Sequence, residues 1–142
     1  MRSMICALLC AMPISPLAAQ HVLLQVDGPT GGELFGRAVD ALGDVTGDGI
    51  PDVIAGAPFA SPNMPQSGYV QVLNGATGQL VLLINGAQNG SMLGASVAAT
   101  GDVNMDGVPD FLAGAPLVLP PLPGGPPNPP GQAFLYSGAT GQ

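Results

Sequence analysis

Lysine is absent from these 142 residues, and Arg2 and Arg37 are the only permanent cations. Nine carboxylates stand against them, for a formal net charge of −7. Phosphate binding needs a basic face that displaces counterions, so this balance argues against nucleic acid as a partner. It disfavours an anionic membrane surface for the same reason. Tryptophan is missing too, His21 is the sole histidine, and both cysteines, Cys6 and Cys10, fall within the first ten residues. Catalytic triads, Schiff-base chemistry, phosphate loops and zinc sites therefore lack parts. Long apolar runs are also scarce. Residues 4–12 form one, nine residues long, preceded by Arg2, broken by Pro13 and Pro16 and followed by the small pair Ala18-Ala19. That pattern predicts an export signal over 1–19. The mature chain is then free of disulfides and thiols, and with no later run near ~18 apolar residues it is expected to be soluble outside the cytoplasm.

What is abundant is turn-forming residues. The chain has 22 glycines and 16 prolines, and between them Val, Leu and Ile recur in short bursts. Many tight turns and short apolar runs point to an all-β fold rather than to helices. The expected strands are 22–26, 35–42, 52–57 and 69–73, then 80–84, 93–100, 110–115 and 133–136.

These eight segments are two copies of one unit. Sliding the chain by 58 positions aligns 22–58 with 80–116, and 17 of the 37 pairs are identical. Gly36 meets Gly94, Asp44 meets Asp102, and Gly56-Ala57-Pro58 meets Gly114-Ala115-Pro116. The stretch Gly75-Ala76-Thr77-Gly78-Gln79 recurs as Gly138-Ala139-Thr140-Gly141-Gln142, offset by 63 because the Pro-rich segment 117–130 is longer. A period of this length with turn punctuation is the mark of a repeat architecture. Four antiparallel strands per unit make a β-propeller blade, so the reading is two tandem blades, 20–78 and 79–142. Two blades are fewer than the four to eight that close a propeller, and open edges invite pairing. Further blades in the same chain, or assembly with other chains, are expected.

Six of the nine acids sit in two nine-residue windows, 44–52 and 102–110. Oxygen-bearing side chains occupy positions 1, 3, 5 and 9, with glycine at 6: Asp44, Thr46, Asp48 and Asp52 around Gly49, and Asp102, Asn104, Asp106 and Asp110 around Gly107. Calcium takes six to eight oxygens, and alternate residues of a tight turn can aim inward together. The carbonyls of Ile50 and Val108 are natural position-7 ligands. An Asp-Gly turn alone explains one Asp-Gly per loop, not four spaced oxygens in both copies. Thr46 supplies a neutral, weaker oxygen than Asn104, so the first site is expected to be the weaker. Ala55 and Ala113 stand where an EF-hand requires its bidentate glutamate, which excludes that motif.

Phe35-Gly36, the loop 44–52 and Gly56-Ala57-Pro58, followed by Leu93-Gly94, the loop 102–110 and Gly114-Ala115-Pro116, resemble FG-GAP repeats, the blade units of the integrin α-chain propeller. The resemblance implies calcium in the loop joining the first two strands of each blade. Its ligands would be Asp44, Thr46, Asp48, Ile50 (backbone) and Asp52, and Asp102, Asn104, Asp106, Val108 (backbone) and Asp110. Asp27, Glu33 and Asp40 lie outside the loops with no spacing that suggests a glycosidase pair. The expectation is a non-catalytic, secreted or cell-surface calcium-binding scaffold for an extracellular protein or glycan. The alternative is an accessory module of a larger extracellular enzyme. Partner choice would reside in the loops 59–68 and 117–131.

Overall fold

The computed structural model describes residues 22–117 and 130–142. The expected export signal, Cys6, Cys10 and His21 lie outside the described residues, as does most of the Pro-rich insertion. Seven strands follow in order: β1 Ala38–Gly43, β2 Asp52–Ala57, β3 Tyr69–Leu73, β4 Leu80–Asn85, β5 Ser96–Gly101, β6 Asp110–Ala115 and β7 Gln132–Tyr136. They form two antiparallel meanders, β1-β2-β3-β4 and β5-β6-β7. The all-β reading and the tandem blades therefore stand.

The frame of the repeat differs from the expected one. Residues 22–26 form no strand, and the strand expected to open the second unit, 80–84, closes the first sheet as β4. The cause is the turn at 74–79. Asn74 N–H donates to the Gln79 carbonyl at 2.8 Å and Gly78 N–H to the Asn74 carbonyl at 2.8 Å, so β4 folds straight back onto β3. A self-alignment gives a period but no origin, and local hairpin geometry sets the origin. The second sheet has three strands among the described residues.

Side-chain alternation gives each sheet two faces. On one face of the first blade, Ile54 pairs with Val72 and Val72 with Leu82, while Val70 pairs with Ile84. On one face of the second, Phe111 pairs with Ala99 and Tyr136, and Ala113 with Val97 and Phe134. These two faces pack on each other and form the main core, with Leu42 and Leu93. Ile54 and Phe111 are wholly buried, each worth roughly 1.5–3 kcal/mol relative to an exposed position.

Three features position the blades. The Asp40 carboxylate on β1 accepts the Ala99 N–H of β5 at 2.8 Å. Leu93 N–H donates to the Ser67 carbonyl at 3.0 Å, and Leu93 forms a parallel bridge with Gly68. Gly94, at φ +87°, then lies backbone to backbone against Gly56. A methyl group at Gly56 would collide with the Gly94 carbonyl, so glycine is required there by close approach rather than by its φ.

Candidate metal centre

Each Asp loop leaves its first strand through a glycine bulge, at Gly43 and at Gly101, and returns into the central strand at Asp52 or Asp110. The first aspartate folds the turn. Asp44 Oδ1 accepts the Gly47 and Asp48 N–H groups at 2.7 and 3.0 Å, and Oδ2 accepts the Gly49 N–H at 2.8 Å. Asp102 repeats the arrangement with the Asp106 and Gly107 N–H groups at 3.0 and 2.8 Å. The turn requires left-handed backbone, at Gly47 and Gly49 in the first loop and at Met105 and Gly107 in the second.

The last aspartate anchors the loop to a neighbouring hairpin. Asp52 is wholly buried; its Oδ2 accepts the Val45 and Thr46 N–H groups at 2.8 and 2.9 Å, and its Oδ1 the Gly75 N–H at 2.9 Å. Asp110 does the same with Val103, Asn104 and Gly138 at 2.9, 3.2 and 3.0 Å. A side chain at Gly75 or Gly138 would strike the carbonyl of Pro51 or Pro109, which explains the glycine that opens each Gly-Ala-Thr-Gly turn.

The middle aspartate is exposed. Asp48 Oδ1 accepts the Ile50 N–H at 2.8 Å and Oδ2 accepts Asn74 Nδ2 at 2.6 Å; Asn74 Nδ2 also donates to Thr46 Oγ1 at 3.0 Å. The Asn74 donor foremost, with the Ile50 N–H, holds the Asp48 carboxyl below its ordinary value against a small opposing effect of desolvation. Asp106 is matched. Val108 N–H and Asn104 Nδ2 donate at 2.9 and 2.8 Å and Ser137 Oγ at 3.3 Å, and these donors, Val108 first, lower its pKa. Asn74 and Ser137 are the site residues that sequence reasoning passes over. Both stand one position before the repeated Gly-Ala-Thr-Gly stretch, and because they differ from each other self-comparison does not flag them.

Among the described residues no three acidic, histidine or cysteine side chains gather as a metal cluster. Backbone amides take up the carboxylates. The donor set nonetheless fits a hard cation: every polar side chain in both windows is an oxygen donor of the carboxylate, amide or hydroxyl type, and each carboxylate has about four lone-pair sites, more than its bonds use except at Asp52.

With the FG or LG turn, the Asp loop and the Gly-Ala-Pro strand end in place twice over, the FG-GAP repeat model matches residues 35–73 and 93–136, more than half of the chain. The chain belongs to the FG-GAP repeat family. Each FG-GAP match runs from the turn before the first strand of a blade to the end of its third strand. Similar proteins are integrin alpha chains. Integrin alpha-8 of Gallus gallus is 36% identical over 96 residues, covering 68% of this chain and 9% of that protein. Integrin alpha-2 of Mus musculus is 37% identical over 105 residues, with the same coverages of 68% and 9%. Integrin alpha-7 of Homo sapiens is 34% identical over 125 residues, covering 84% of this chain and 9% of that protein. This FG-GAP chain thus spans about a tenth of the length of these relatives.

Proposed function

We propose that this chain is a non-catalytic, secreted or cell-surface scaffold of β-propeller blades, clipped by calcium and serving adhesion to an extracellular protein or glycan. The export signal at 1–19 and two tandem blade units belong to this reading, the first unit now running through β4 rather than ending at 78, with further blades in the same chain or assembly with other chains completing the propeller. The observation that carries it is the Asp loop built twice on one hydrogen-bond template. Asp44, Thr46, Asp48, the Ile50 carbonyl and Asp52 would hold one Ca2+. Asp102, Asn104, Asp106, the Val108 carbonyl and Asp110 would hold the other. A cation at either loop offsets the mutual repulsion of its carboxylates and ties the strand connection to the adjacent hairpin.

The first site has a further reason to be the weaker. Asn74 Nδ2 bonds to both Thr46 Oγ1 and Asp48 Oδ2, so a cation must displace that amide. Its own Oδ1 already accepts the Ala76 and Thr77 N–H groups at 3.0 and 2.8 Å and cannot turn inward without breaking the hairpin turn.

Calorimetric titration of the full chain with calcium is expected to give two binding events in the range of about 10⁻⁴ to 10⁻³ M, and chelator should lower the melting temperature. Asp106→Ala is expected to abolish the second event and spare the first. No heat and no melting shift in millimolar calcium would reject the calcium reading.

A further inference from the structure

The internal repeat makes the two outward faces of this molecule complementary to each other. The face of the first blade that meets the second carries Ile54, Gly56, Val70 and Val72. Its counterpart on the second blade, carrying Leu112, Gly114, Ala133 and Leu135, faces outward. Leu112 and Leu135 are 40% and 49% exposed there. Conversely, the face of the second blade that meets the first carries Val97, Phe111 and Ala113. Its counterpart on the first blade carries Val39, Val53 and Ala55, with Phe35 and Leu73 beside them, and lines an apolar groove of about 530 Å³ whose other wall is Leu23, Leu24 and Val26.

The wedge between the blades shows the same half-used pattern. Gly94 sits against Gly56, whereas Gly36, its counterpart, has nothing within 4 Å of the side-chain position. At Gly114, the counterpart of Gly56, the nearest atoms belong to Ser96 on the neighbouring strand of its own sheet, whose hydroxyl must swing aside for another backbone to take that place. One molecule therefore carries an unused wedge at one end and an unused seat at the other.

The segment 22–26 completes the correspondence. Leu24 and Val26 lie against Gly78, just as their repeat counterparts Leu82 and Ile84 lie against Gly141. The segment thus stands over the first blade where β4 stands over the second. In β4 that place belongs to the outermost strand of the adjoining sheet. Among the described residues, β7 pairs with β6 alone and presents a free edge.

We propose that a second copy of this chain docks head to tail, its first-blade face on the outward face of this copy's second blade. Gly36 of the incoming copy then seats on Gly114, and its segment 22–26 comes alongside β7 as a fourth strand. The contact repeats the interface already inside the molecule, so it is heterologous and leads to a ring or to an open stack according to its rotation. It lacks one element of the internal interface, because Ala98 stands where Asp40 supplies the carboxylate to the opposing strand. The contact is accordingly weaker than the intramolecular one. This inference rests on the propeller-blade part of the proposed function and not on calcium.

Sedimentation velocity of the full chain tests it, run both in calcium and in chelator across a concentration series. The expected result is a species of at least twice the monomer mass that grows with concentration in both buffers. Val39→Asp blocks one face and Leu112→Asp the other, and each variant alone should sediment as monomer. Their equimolar mixture should restore a 1:1 dimer, since one intact face of each kind remains, and an isologous contact would not be rescued in that way. Val39 is 62% exposed, so it tolerates the change; should Leu112→Asp lose its circular dichroism spectrum, the exposed Ser96→Arg probes the same face. Monomer alone at ~1 mM chain would overturn the proposal, as would self-association that the variants leave unaltered or a mixture that stays monomeric.

Discussion

Met105 and Gly47 occupy equivalent positions in the two Asp loops, at φ +62° and +74°. A β-carbon in left-handed backbone costs about 1–2 kcal/mol, and Met105 is 90% exposed, with little packing to offset it. Met105→Gly is therefore expected to stabilise the fold by about 0.5–1 kcal/mol after the entropy of the added glycine, read as a rise in melting temperature. Glu33 is buried between Thr30 and Tyr69. Its buried carboxylate accepts the Thr30 N–H and hydroxyl at 3.1 and 2.7 Å and the Tyr69 hydroxyl at 3.0 Å. Burial pushes its pKa up, but the Thr30 and Tyr69 donors together outweigh burial, and the net value lies below the ordinary 4.5. Burial first and the Glu33 charge second push the Tyr69 hydroxyl well up, so it stays a donor. A depressed carboxylate contributes stability that is fully present above its unfolded pKa and is lost as pH falls through the folded one. Melting temperature should fall on acidification below about pH 4.5, and Glu33→Gln should flatten that part of the profile while costing about 1–2 kcal/mol at neutral pH.

Among elements, the loop-to-hairpin anchor outweighs any single turn. Asp110→Ala strands the buried Gly138 N–H and the part-buried Val103 and Asn104 N–H groups, and the expected loss is about 2–3 kcal/mol by chemical denaturation. Asp52→Ala should match it in the first blade. This dual use of one aspartate was not legible from spacing. Position 9 of the window reads as a ligand, whereas its hydrogen bonds run to a glycine 23 or 28 residues away, in a hairpin that spacing does not bring near. The strands themselves were legible because alternation, glycine punctuation and the repeat agree on them. Residues 22–26 are the exception. They are as apolar as β4 but pair with no strand among the described residues, and composition alone does not supply a partner strand.

For the whole molecule, the repeat predicts two similar blades but not which face of each is covered. That choice depends on the sense in which the sheets stack, set by the Gly56–Gly94 approach and the Asp40–Ala99 bond. The residue pattern does not order the faces, because both are apolar on β2 and β3: Ile54 and Val70 on one side, Val53, Ala55 and Leu73 on the other. The described structure resolves this ambiguity and shows where each expected ligand sits. The Asp, Thr and Asn residues of each window fall together at one end of their blade, while the loop 59–68 leaves from the other end of β2.

The connection 86–95 runs from the last strand of one sheet to the first strand of the next, and its Leu93-Gly94 turn rests on Ser67, Gly68 and Gly56 of the blade it has just left. Modules that interleave in this way do not separate where the sequence repeats. A chain divided after Gly78 loses its outermost strand, and one divided after Asn85 loses the turn that covers its own central strand. The unit that can be exchanged between relatives is therefore longer than one period, each graft carrying the entry turn of its successor, so recombination that preserves this overlap yields intact hybrids and recombination at the repeat boundary does not.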